Sequence, residues 1–309
     1  MTEQLQLSVS PHIHSGRSTA RIMLDVIIAL LPAAVAGVII FGFRALLVLV
    51  TCVLSTVLSE LVFNLLLKKP LTITDGSAAV TGLLLGLNLP ANIPLWQAVI
   101  GSVFAIVVVK CLFGGLGKNL VNPAITARVF MIVSFGSVAM PAFPTVVDTV
   151  AGATPLAELA AGKTPSLLDL FLGLHGGAIG EVSAVALLVG GAYLLFRRVI
   201  SWHLPVTYIG CAFLFSFLFG GFDLLASLAG VLSGGLLLGA IFMATDYVTS
   251  PVTPLGKVVF GIGAALITVV IRFWGSYPEG VSFAILLMNI LTPYIDTLTT
   301  RRQFGGKKA

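Results

Sequence analysis

The chain has 309 residues, of which 58% are hydrophobic and only 9% are charged, with a net charge of +5 and a mean hydropathy of +1.09. Soluble globular domains carry about 25% charged residues, so the composition excludes an ordinary soluble protein and predicts an all-α polytopic membrane protein. The positive charge does not indicate nucleic acid, because the basic residues fall between apolar stretches, where they set helix orientation.

Apolar runs of roughly 20 residues predict about ten transmembrane helices after a polar segment at residues 1–21. The predicted spans are 22–42, 45–67, 76–90, 94–113, 121–140, 181–197, 204–220, 225–245, 255–275 and 279–299. The first apolar run is too long for the apolar region of a cleavable signal peptide. The third span is short and begins at Asp75, so a broken or tilted helix is expected there.

The basic residues predict that both termini face the cytoplasm. With ten spans and the N-terminus inside, thirteen basic residues fall on the inner side and only Arg44, Lys163 and Arg272 on the outer side. This imbalance fits the positive-inside rule. The loop after the fifth span therefore lies outside the cytoplasm.

The order of spans predicts two five-helix halves, 22–140 and 181–299, separated by an extracytoplasmic loop at 141–180 and followed by a basic tail at 300–309. Thr74-Asp75 recurs as Thr245-Asp246, once in each half, which is consistent with the paired repeats of transport folds.

Several charged side chains fall at membrane depth or at its border, where each needs a partner. Asp25 and Asp75 lie near predicted helix starts, so capping and dipole compensation compete with a role in an ion path. Glu60 lies late in the second span, where it either reaches the inner interface or serves that path. Asp246 lies near a helix C-terminus, which is unfavourable for an acid, so Lys257 or Arg128 is expected to pair with it.

Two polar stretches on the inner side are candidate ligand sites. The stretch from Gly114 to Ala124 has three glycines and the amides of Asn119 and Asn122, which match the mixed donor and acceptor pattern of a flavin's pyrimidine edge. A cytoplasmic turn with Pro123 at a helix start explains the same residues. The stretch 245–257 either lines an ion path or cofactor pocket or forms an ordinary loop.

Histidines and cysteines show no metal-ligand spacing. His12, His14, His175 and His203 are expected at the surface or at helix caps, and three isolated cysteines are expected as small buried hydrophobic residues.

The outer loop contains Asp148-Thr149-Val150-Ala151-Gly152-Ala153-Thr154. This segment resembles the flavinylation sequence Asp-x-x-Ser/Ala-Gly-Ala-Thr, in which a flavin transferase links FMN to the threonine hydroxyl through a phosphoester. Small residues at Gly152 and Ala153 would let the segment enter the transferase, and Asp148 would position the segment or the transferase's metal. Alanine replaces the more common serine at Ala151.

The resemblance extends along the chain through Ser10-Pro11-His12, the 74–78, 117–124 and 245–257 stretches, and Thr154. These segments resemble the RnfD subunit of Rnf-type ion-translocating ferredoxin:NAD oxidoreductases, which is homologous to the NqrB subunit of the sodium-translocating NADH:quinone oxidoreductase. The longer N-terminal extension of that second family is absent here, which favours the Rnf form.

The resemblance implies covalent FMN at Thr154 in a multi-pass protein of the bacterial inner membrane. It also implies a non-covalent riboflavin near Asn119 and Asn122. The expected partners are the other subunits of a six-subunit complex, including a second FMN-carrying subunit, and a flavin transferase during maturation. Asp25, Glu60, Asp75 and Asp246 are the candidates for an Na⁺ or H⁺ path.

Two other function classes fit the composition alone. A solute channel or secondary transporter would also have ten spans and paired halves. A purely structural membrane subunit would hold partner subunits together without a redox role. A covalently bound flavin distinguishes the first interpretation from both.

Overall fold

The computed structural model describes residues 18–144, 153–275 and 280–300. Over these residues the chain is helical, and its only extended pairing is an isolated antiparallel bridge between Ala142 and Gly177. The helices of the first part are α1 (Thr19–Phe41), α2 (Phe43–Leu66), α3 (Ser77–Leu87), α4 (Leu95–Val103, continued by a π-helical stretch, Phe104–Cys111) and α5 (Pro123–Ser134). Short 3₁₀ turns at Ile73–Asp75 and Gly136–Ala139 precede α3 and follow α5.

Two short helices lie in the predicted outer loop, α6 (Pro155–Ala160) and α7 (Leu167–Leu172). The second part contains α8 (Ala184–Phe196), α9 (His203–Phe219), α10 (Leu224–Leu232), α11 (Leu236–Leu238, continued by a π-helical stretch, Gly239–Met243), α12 (Pro254–Trp274) and α13 (Val281–Thr299). Each predicted span therefore contains an apolar helical segment, or two in the eighth.

Length and hydropathy separate these helices into classes. Four helices, α1, α2, α12 and α13, are long and apolar enough to cross a membrane by themselves. The pair α10 and α11 makes a fifth candidate span if both helices count as one, although they are bent by 61°. The remaining apolar helices, α3, α4 with its π-helical continuation, α5, α8 and α9, have 10–17 residues. The fold is therefore an all-helical, multi-pass membrane protein.

The bend between α10 and α11 differs from the continuous eighth span that the sequence predicts. Ser233, Gly234 and Gly235 separate the two helices, and both glycines adopt a φ of 68°. That left-handed conformation is open to glycine and costly for residues with a Cβ atom. Arg272 of α12 donates hydrogen bonds to the carbonyl oxygens of Gly230, Ser233 and Gly234, so the backbone groups freed by the break are bonded.

Helices from the two parts of the chain pack against each other. In the core, α1 packs on α8 and α5 packs on α13, while α9 packs along α12 and α2 packs against α3 and α4. Side chains that face outward along the long helices are apolar and exposed, such as Leu54 and Leu58 on α2. This distribution is expected when lipid rather than water surrounds the helices.

Candidate functional site

Thr154 borders a cavity of about 250 Å³ next to the predicted outer loop. It is the N-cap of α6, its hydroxyl oxygen accepts a hydrogen bond from the Ala157 amide at 3.3 Å, and Pro155 occupies the first helical position. Ala153 is exposed and lines the same cavity. Asp148, Ala151 and Gly152 lie outside the described residues, so their roles stay predictions.

The inner wall of this cavity carries buried charge. Arg128 of α5 is only 4% exposed and donates a hydrogen bond from Nη1 to Oδ1 of Asn88, and its Nη2 atom lies 4.0 Å from Oε2 of Glu181. The other carboxylate oxygen of Glu181 accepts the Ala178 amide at 2.8 Å. Asn88 and Glu181 are therefore site residues that the sequence interpretation missed.

The remaining lining of this outer cavity is mixed. Val138, Met140 and Leu156 supply apolar surface, and His175 supplies an imidazole. Both ring nitrogens of His175 lie near carbonyl oxygens, with Nδ1 3.0 Å from Gly176 O and Nε2 3.1 Å from Val182 O. Burial lowers the pKa of His175 below its usual value, and these carbonyls oppose that shift. His175 is half-buried in the loop rather than a surface or capping residue, which corrects the sequence prediction.

Glu60 forms a buried ion pair with Lys110. The Lys110 ammonium lies 2.9 Å from Oε2 and 3.0 Å from Oε1 of Glu60, and it also donates to the Ser77 hydroxyl at 2.6 Å. Asp75 accepts hydrogen bonds from both the amide and the hydroxyl of Ser77. Asp75 precedes Gly76, the N-cap of α3, and its bond to the first helical amide stabilises the helix start, which is consistent with one of the two sequence interpretations.

Both members of this pair are buried within the protein, at 2% exposure each. Glu60 also accepts a hydrogen bond from the Thr72 hydroxyl at 2.7 Å, and its role at the inner interface or in an ion path stays a prediction. The π-helical stretch after α4 contains Lys110, and this stretch carries its side chain toward α2. Glu60 and Lys110 therefore form one ion pair, which the sequence interpretation did not include.

Asp25 joins the two parts of the chain. Its carboxylate accepts a hydrogen bond from the Tyr193 hydroxyl at 3.0 Å and lies 3.2 Å from Nη2 of Arg197. Asp25 is in the second turn of α1, where Ser18 is the N-cap. The capping role predicted for Asp25 is therefore wrong, and its partners come from α8 and the residue that follows it.

A second cavity, of about 80 Å³, lies at the opposite end of the bundle from Thr154. It is lined by Ser77 and Thr81 of α3, by Asn119 and Asn122, and by Thr245 and Asp246. The dipeptide Thr245-Asp246 and the residues after Thr74-Asp75 therefore meet at one cavity, and the paired repeat stays a prediction.

The two asparagines of this inner cavity also have structural roles. Asn122 caps α5 by accepting the Ala124 amide at 3.0 Å, and its Nδ2 donates to Met243 O at 3.2 Å, across to the second part of the chain. Asn119 Nδ2 donates to Val121 O at 3.2 Å. The turn before Pro123, predicted from the glycines, is confirmed, and the side chains stabilise it while they line the cavity.

Asp246 is held by its own turn. Its carboxylate oxygens accept hydrogen bonds from the Val248 amide at 3.5 Å and the Thr249 hydroxyl at 3.1 Å. Burial raises the pKa of Asp246 above its usual range, against the effect of these hydrogen bonds. The expected partners are wrong, because Arg128 pairs with Asn88 and Glu181, and the Lys257 ammonium donates to the Ser201 hydroxyl at 3.0 Å.

No group of three or more histidine, cysteine or acidic side chains is arranged to hold a metal ion in the part of the chain that the structure describes. Cys52 and Cys111 are buried, and Cys211 is half-buried. His12 and His14 lie outside the described residues.

The helices and the two cavities define a multi-pass membrane protein with charged groups buried near both ends of the bundle. Residues 6–305 match the model of the NQR2, RnfD, RnfE family, and the chain belongs to this family.

Curated relatives align over nearly the whole chain. The subunit designated D in the Na⁺-translocating ferredoxin:NAD⁺ oxidoreductase complex of Acetobacterium woodii is 52% identical, over 98% of this chain and 96% of the relative. The subunit with the same designation in the proton-translocating ferredoxin:NAD⁺ oxidoreductase complex of Clostridium ljungdahlii is 42% identical, with the same two coverages. Its counterpart in the ion-translocating oxidoreductase complex of Stutzerimonas stutzeri is 39% identical, over 93% of this chain and 92% of the relative.

Proposed function

We propose that this chain is the flavin-bearing membrane subunit of an ion-translocating ferredoxin:NAD⁺ oxidoreductase. The main support is the position of Thr154, at the end of a flavinylation-like segment. It borders a cavity whose wall contains the buried guanidinium of Arg128. Relatives named as one and the same subunit of such complexes, at up to 52% identity, support the assignment. The subunit would act as part of a translocase and would not be catalytic alone.

The proposed topology has ten spans with both termini in the cytoplasm of a bacterial inner membrane. The support is the distribution of basic residues together with an apolar helical segment in each predicted span. Under this topology, Thr154 lies on the outer side and Asn119, Asn122 and Asp246 lie on the inner side.

The residues of the outer cavity fit an FMN attached at Thr154. A flavin ring has an apolar edge and a polar pyrimidine edge, and the cavity offers both kinds of surface. Met140, Val138 and Leu156 can contact the apolar edge, and Asn88 and Arg128 are polar partners deeper in the cavity. Thr154 is half-buried and its neighbour Ala153 is exposed, so a transferase can reach the hydroxyl.

Bound FMN would supply one-electron and two-electron redox chemistry to the complex. The chain's own contribution is electrostatic: the Arg128 guanidinium places positive charge beside the site, which stabilises added negative charge in a region of low dielectric constant. Glu181 and Asn88 hold that guanidinium in place. Electron transfer and cation movement are coupled because charge added to such a region needs a compensating cation.

The inner cavity is the proposed place for the second cofactor and for part of the ion path. A non-covalent riboflavin near Asn119 and Asn122 would require this cavity of about 80 Å³ to widen, and both amides would exchange their present hydrogen bonds for bonds to the ring. Asp246 contributes a carboxyl group to the same lining, which makes it the candidate there to exchange a proton or contact a cation. Glu60 and Asp75 are linked to this lining through Ser77, and Asp25 is the remaining candidate on α1.

The proposed partners are the remaining subunits of a six-subunit complex, one of which carries its own covalent FMN, and a flavin transferase. The relatives are named as parts of multi-subunit complexes, which supports the first proposal. Exposed apolar helix faces contact lipid or neighbouring subunits.

Attachment at Thr154 is tested by expressing the chain with the transferase as wild type and as Thr154→Ala. The wild-type band should fluoresce after denaturing electrophoresis, and the peptide from Ala153 should gain the mass of one FMN residue. Thr154→Ala should lose both signals. Thr164→Ala is the matched control, since Thr164 lies in the same loop and is exposed.

A fluorescent band from Thr154→Ala would place the attachment elsewhere. A colourless wild-type protein with an unmodified Thr154 would instead support a solute channel or secondary transporter. Both outcomes are read from the polypeptide itself and do not require an active complex.

A further inference from the structure

The outer cavity contains a buried carboxylate oxygen to which the proposed function gives no chemical role. Glu181 lines this cavity and is 5% exposed. Its Oε1 atom accepts a hydrogen bond from the Ala178 amide at 2.8 Å. Its Oε2 atom is buried and accepts no hydrogen bond from the residues that the structure describes. Buried polar atoms without a hydrogen-bond partner are costly and uncommon, so this oxygen indicates a functional role.

The surroundings of Oε2 combine positive charge with little space. The Nη2 atom of Arg128 lies 4.0 Å away, which is beyond hydrogen-bonding distance but close enough for electrostatic attraction. On another side lies Gly235, where a Cβ atom would come within 2.8 Å of Oε2. Oε2 is therefore close to a guanidinium and is enclosed too tightly for a hydrated metal ion.

The charged and titratable groups around Glu181 favour a proton over a metal ion at this oxygen. Among the described residues they are Arg128 of α5, Arg272 of α12, His175 of the same loop and, outside the cavity lining, Glu158 of α6 and Asp169 of α7. The two guanidiniums are positive and repel a cation that approaches Oε2. Hard metal cations also need several oxygen ligands, whereas a proton forms one O–H bond and needs no further ligand.

Protonation of Glu181 changes the net charge of the cavity wall in the direction that flavin reduction requires. Each electron that enters adds one negative charge in a region of low dielectric constant, where an uncompensated charge is costly. A proton on Oε2 neutralises the carboxylate and raises the net charge of the wall by one. Arg128 borders the same cavity, so its attraction for added negative charge is then less opposed by Glu181.

We propose that Glu181 is the proton acceptor of the outer flavin site, an inference that rests on the proposed function. As the first electron from a reduced centre of a neighbouring subunit reaches the flavin, one proton from the outer aqueous side adds to Oε2 and forms an O–H bond. Oxidation breaks that bond and returns the proton. The charge at this site is thus compensated by a proton, whichever ion the whole complex translocates.

Infrared difference spectroscopy tests this step on the full chain, purified with its covalent flavin after co-expression with the transferase and reduced at an electrode. Reduction should produce the carbonyl band of a protonated carboxylic acid, which moves to lower frequency in D₂O. Glu181→Gln should lose this band, and it retains an oxygen for the Ala178 amide, so the fold should be kept. Glu158→Gln is the matched control and should retain the band, because Glu158 is a half-buried glutamate of the same loop outside the cavity lining.

The redox potential of the attached flavin gives a second readout. Uptake of one proton for two electrons makes the midpoint potential fall by roughly 30 mV per pH unit, in addition to any dependence from the flavin itself. This contribution should be present in the wild type and in His175→Gln and absent in Glu181→Gln. A purely structural role of Glu181 would shift the potential without changing its slope against pH.

The proposal is overturned if the wild-type spectrum shows flavin bands without a carboxylic acid band, or if Glu181→Gln retains that band. Glu181→Asp keeps a carboxyl group on a shorter side chain and should shift the band, so an unshifted band in this variant would also contradict the proposal. A wild-type protein without flavin bands would instead overturn the covalent attachment at Thr154. The two failures are therefore distinguishable.

Discussion

At the scale of single residues, the Glu60–Lys110 pair shows how the chain tolerates charge in its interior. Both side chains are 2% exposed, and the ammonium reaches both carboxylate oxygens and the Ser77 hydroxyl. A buried pair of this kind adds little net stability, because desolvation opposes the attraction. Loss of one member is costly, because the other charge stays buried without its partner.

We therefore expect Lys110→Met to lower the free energy of unfolding by about 3–5 kcal/mol. The double variant Glu60→Gln/Lys110→Met should recover much of that loss, since neither charge remains. Thermal unfolding of the purified protein in detergent measures both changes, and Lys118→Met is the exposed control. Equal destabilisation by the single and double variants would show that packing, and not charge, carries the effect.

His175 gives a pH dependence at the residue scale. Burial lowers the pKa of His175 below 6.5, so the folded protein resists a proton that the unfolded chain accepts. The contribution to stability is complete above pH 6.5 and is lost as the pH falls through the folded-state pKa. We expect His175→Gln to reduce the change in melting temperature between pH 7 and pH 5, as measured by differential scanning fluorimetry.

His203→Gln is the control for this experiment, since the His203 ring stacks on Trp202 at the start of α9, far from the loop. The assignment fails if His175→Gln has the wild-type pH profile, or if melting temperatures rise on acidification in a way that His175→Gln abolishes.

At the scale of elements, the sequence predicts where helices lie better than it predicts how they meet. Apolar runs mark all the long helices because each must hide its backbone from lipid. The break between α10 and α11 depends on a partner far along the chain, Arg272, whose guanidinium bonds the freed carbonyls. Ser233-Gly234-Gly235 is a local signal for the break, but nothing in the run Leu224–Met243 indicates its partner Arg272.

The same reasoning explains the site residues. Thr154, Asn119 and Asn122 are candidates from the sequence because each lies in a short motif, and each lines a cavity in the structure. Asn88 and Glu181 escape prediction because they become site residues only through contact with Arg128. The partners of Arg128 are set by how the segments that contain Arg128, Asn88 and Glu181 pack together. The charge of Asp246 alone suggests Arg128 as its partner, which is wrong.

The helix break predicts a cost for adding a side chain at Gly235. Its φ is 68°, and a Cβ atom there would lie 2.8 Å from Glu181 Oε2. Gly235→Ala should lower the free energy of unfolding by about 1–2 kcal/mol from backbone strain alone. Thermal unfolding of this variant should be compared with Gly210→Ala, because a Cβ atom at Gly210 meets nothing within 4 Å.

A second readout connects this break to the outer site. Displacement of Glu181 would shift its partner Arg128 in the wall of the Thr154 cavity. We expect less covalent flavin per chain in Gly235→Ala than in Gly210→Ala. Equal stability and equal flavin content in the two variants would contradict the proposed role of the break.

At the scale of the whole molecule, orientation in the membrane decides which cavity faces which compartment. The proposed ten spans with both termini inside place Ser166, between α6 and α7, on the outer side and Lys118 on the inner side. Both residues are exposed and neither lines the outer or the inner cavity, so cysteine is tolerated there on structural grounds. The native cysteines are buried or half-buried. Replacing the half-buried Cys211 with alanine reduces background labelling of the native cysteines.

In intact cells, a membrane-impermeant maleimide should label Ser166→Cys and leave Lys118→Cys unlabelled until the membrane is permeabilised. This result would place the Thr154 cavity on the outer side and the inner cavity on the inner side, because helices of alternating direction connect them. Labelling of Lys118→Cys alone in intact cells would overturn the orientation, and labelling of both sites would contradict the single span, α5, that separates them. We expect labelling of Ser166→Cys only. Thirteen basic residues lie in the predicted inner segments and three in the outer ones, and this imbalance favours retention of the inner segments in the cytoplasm.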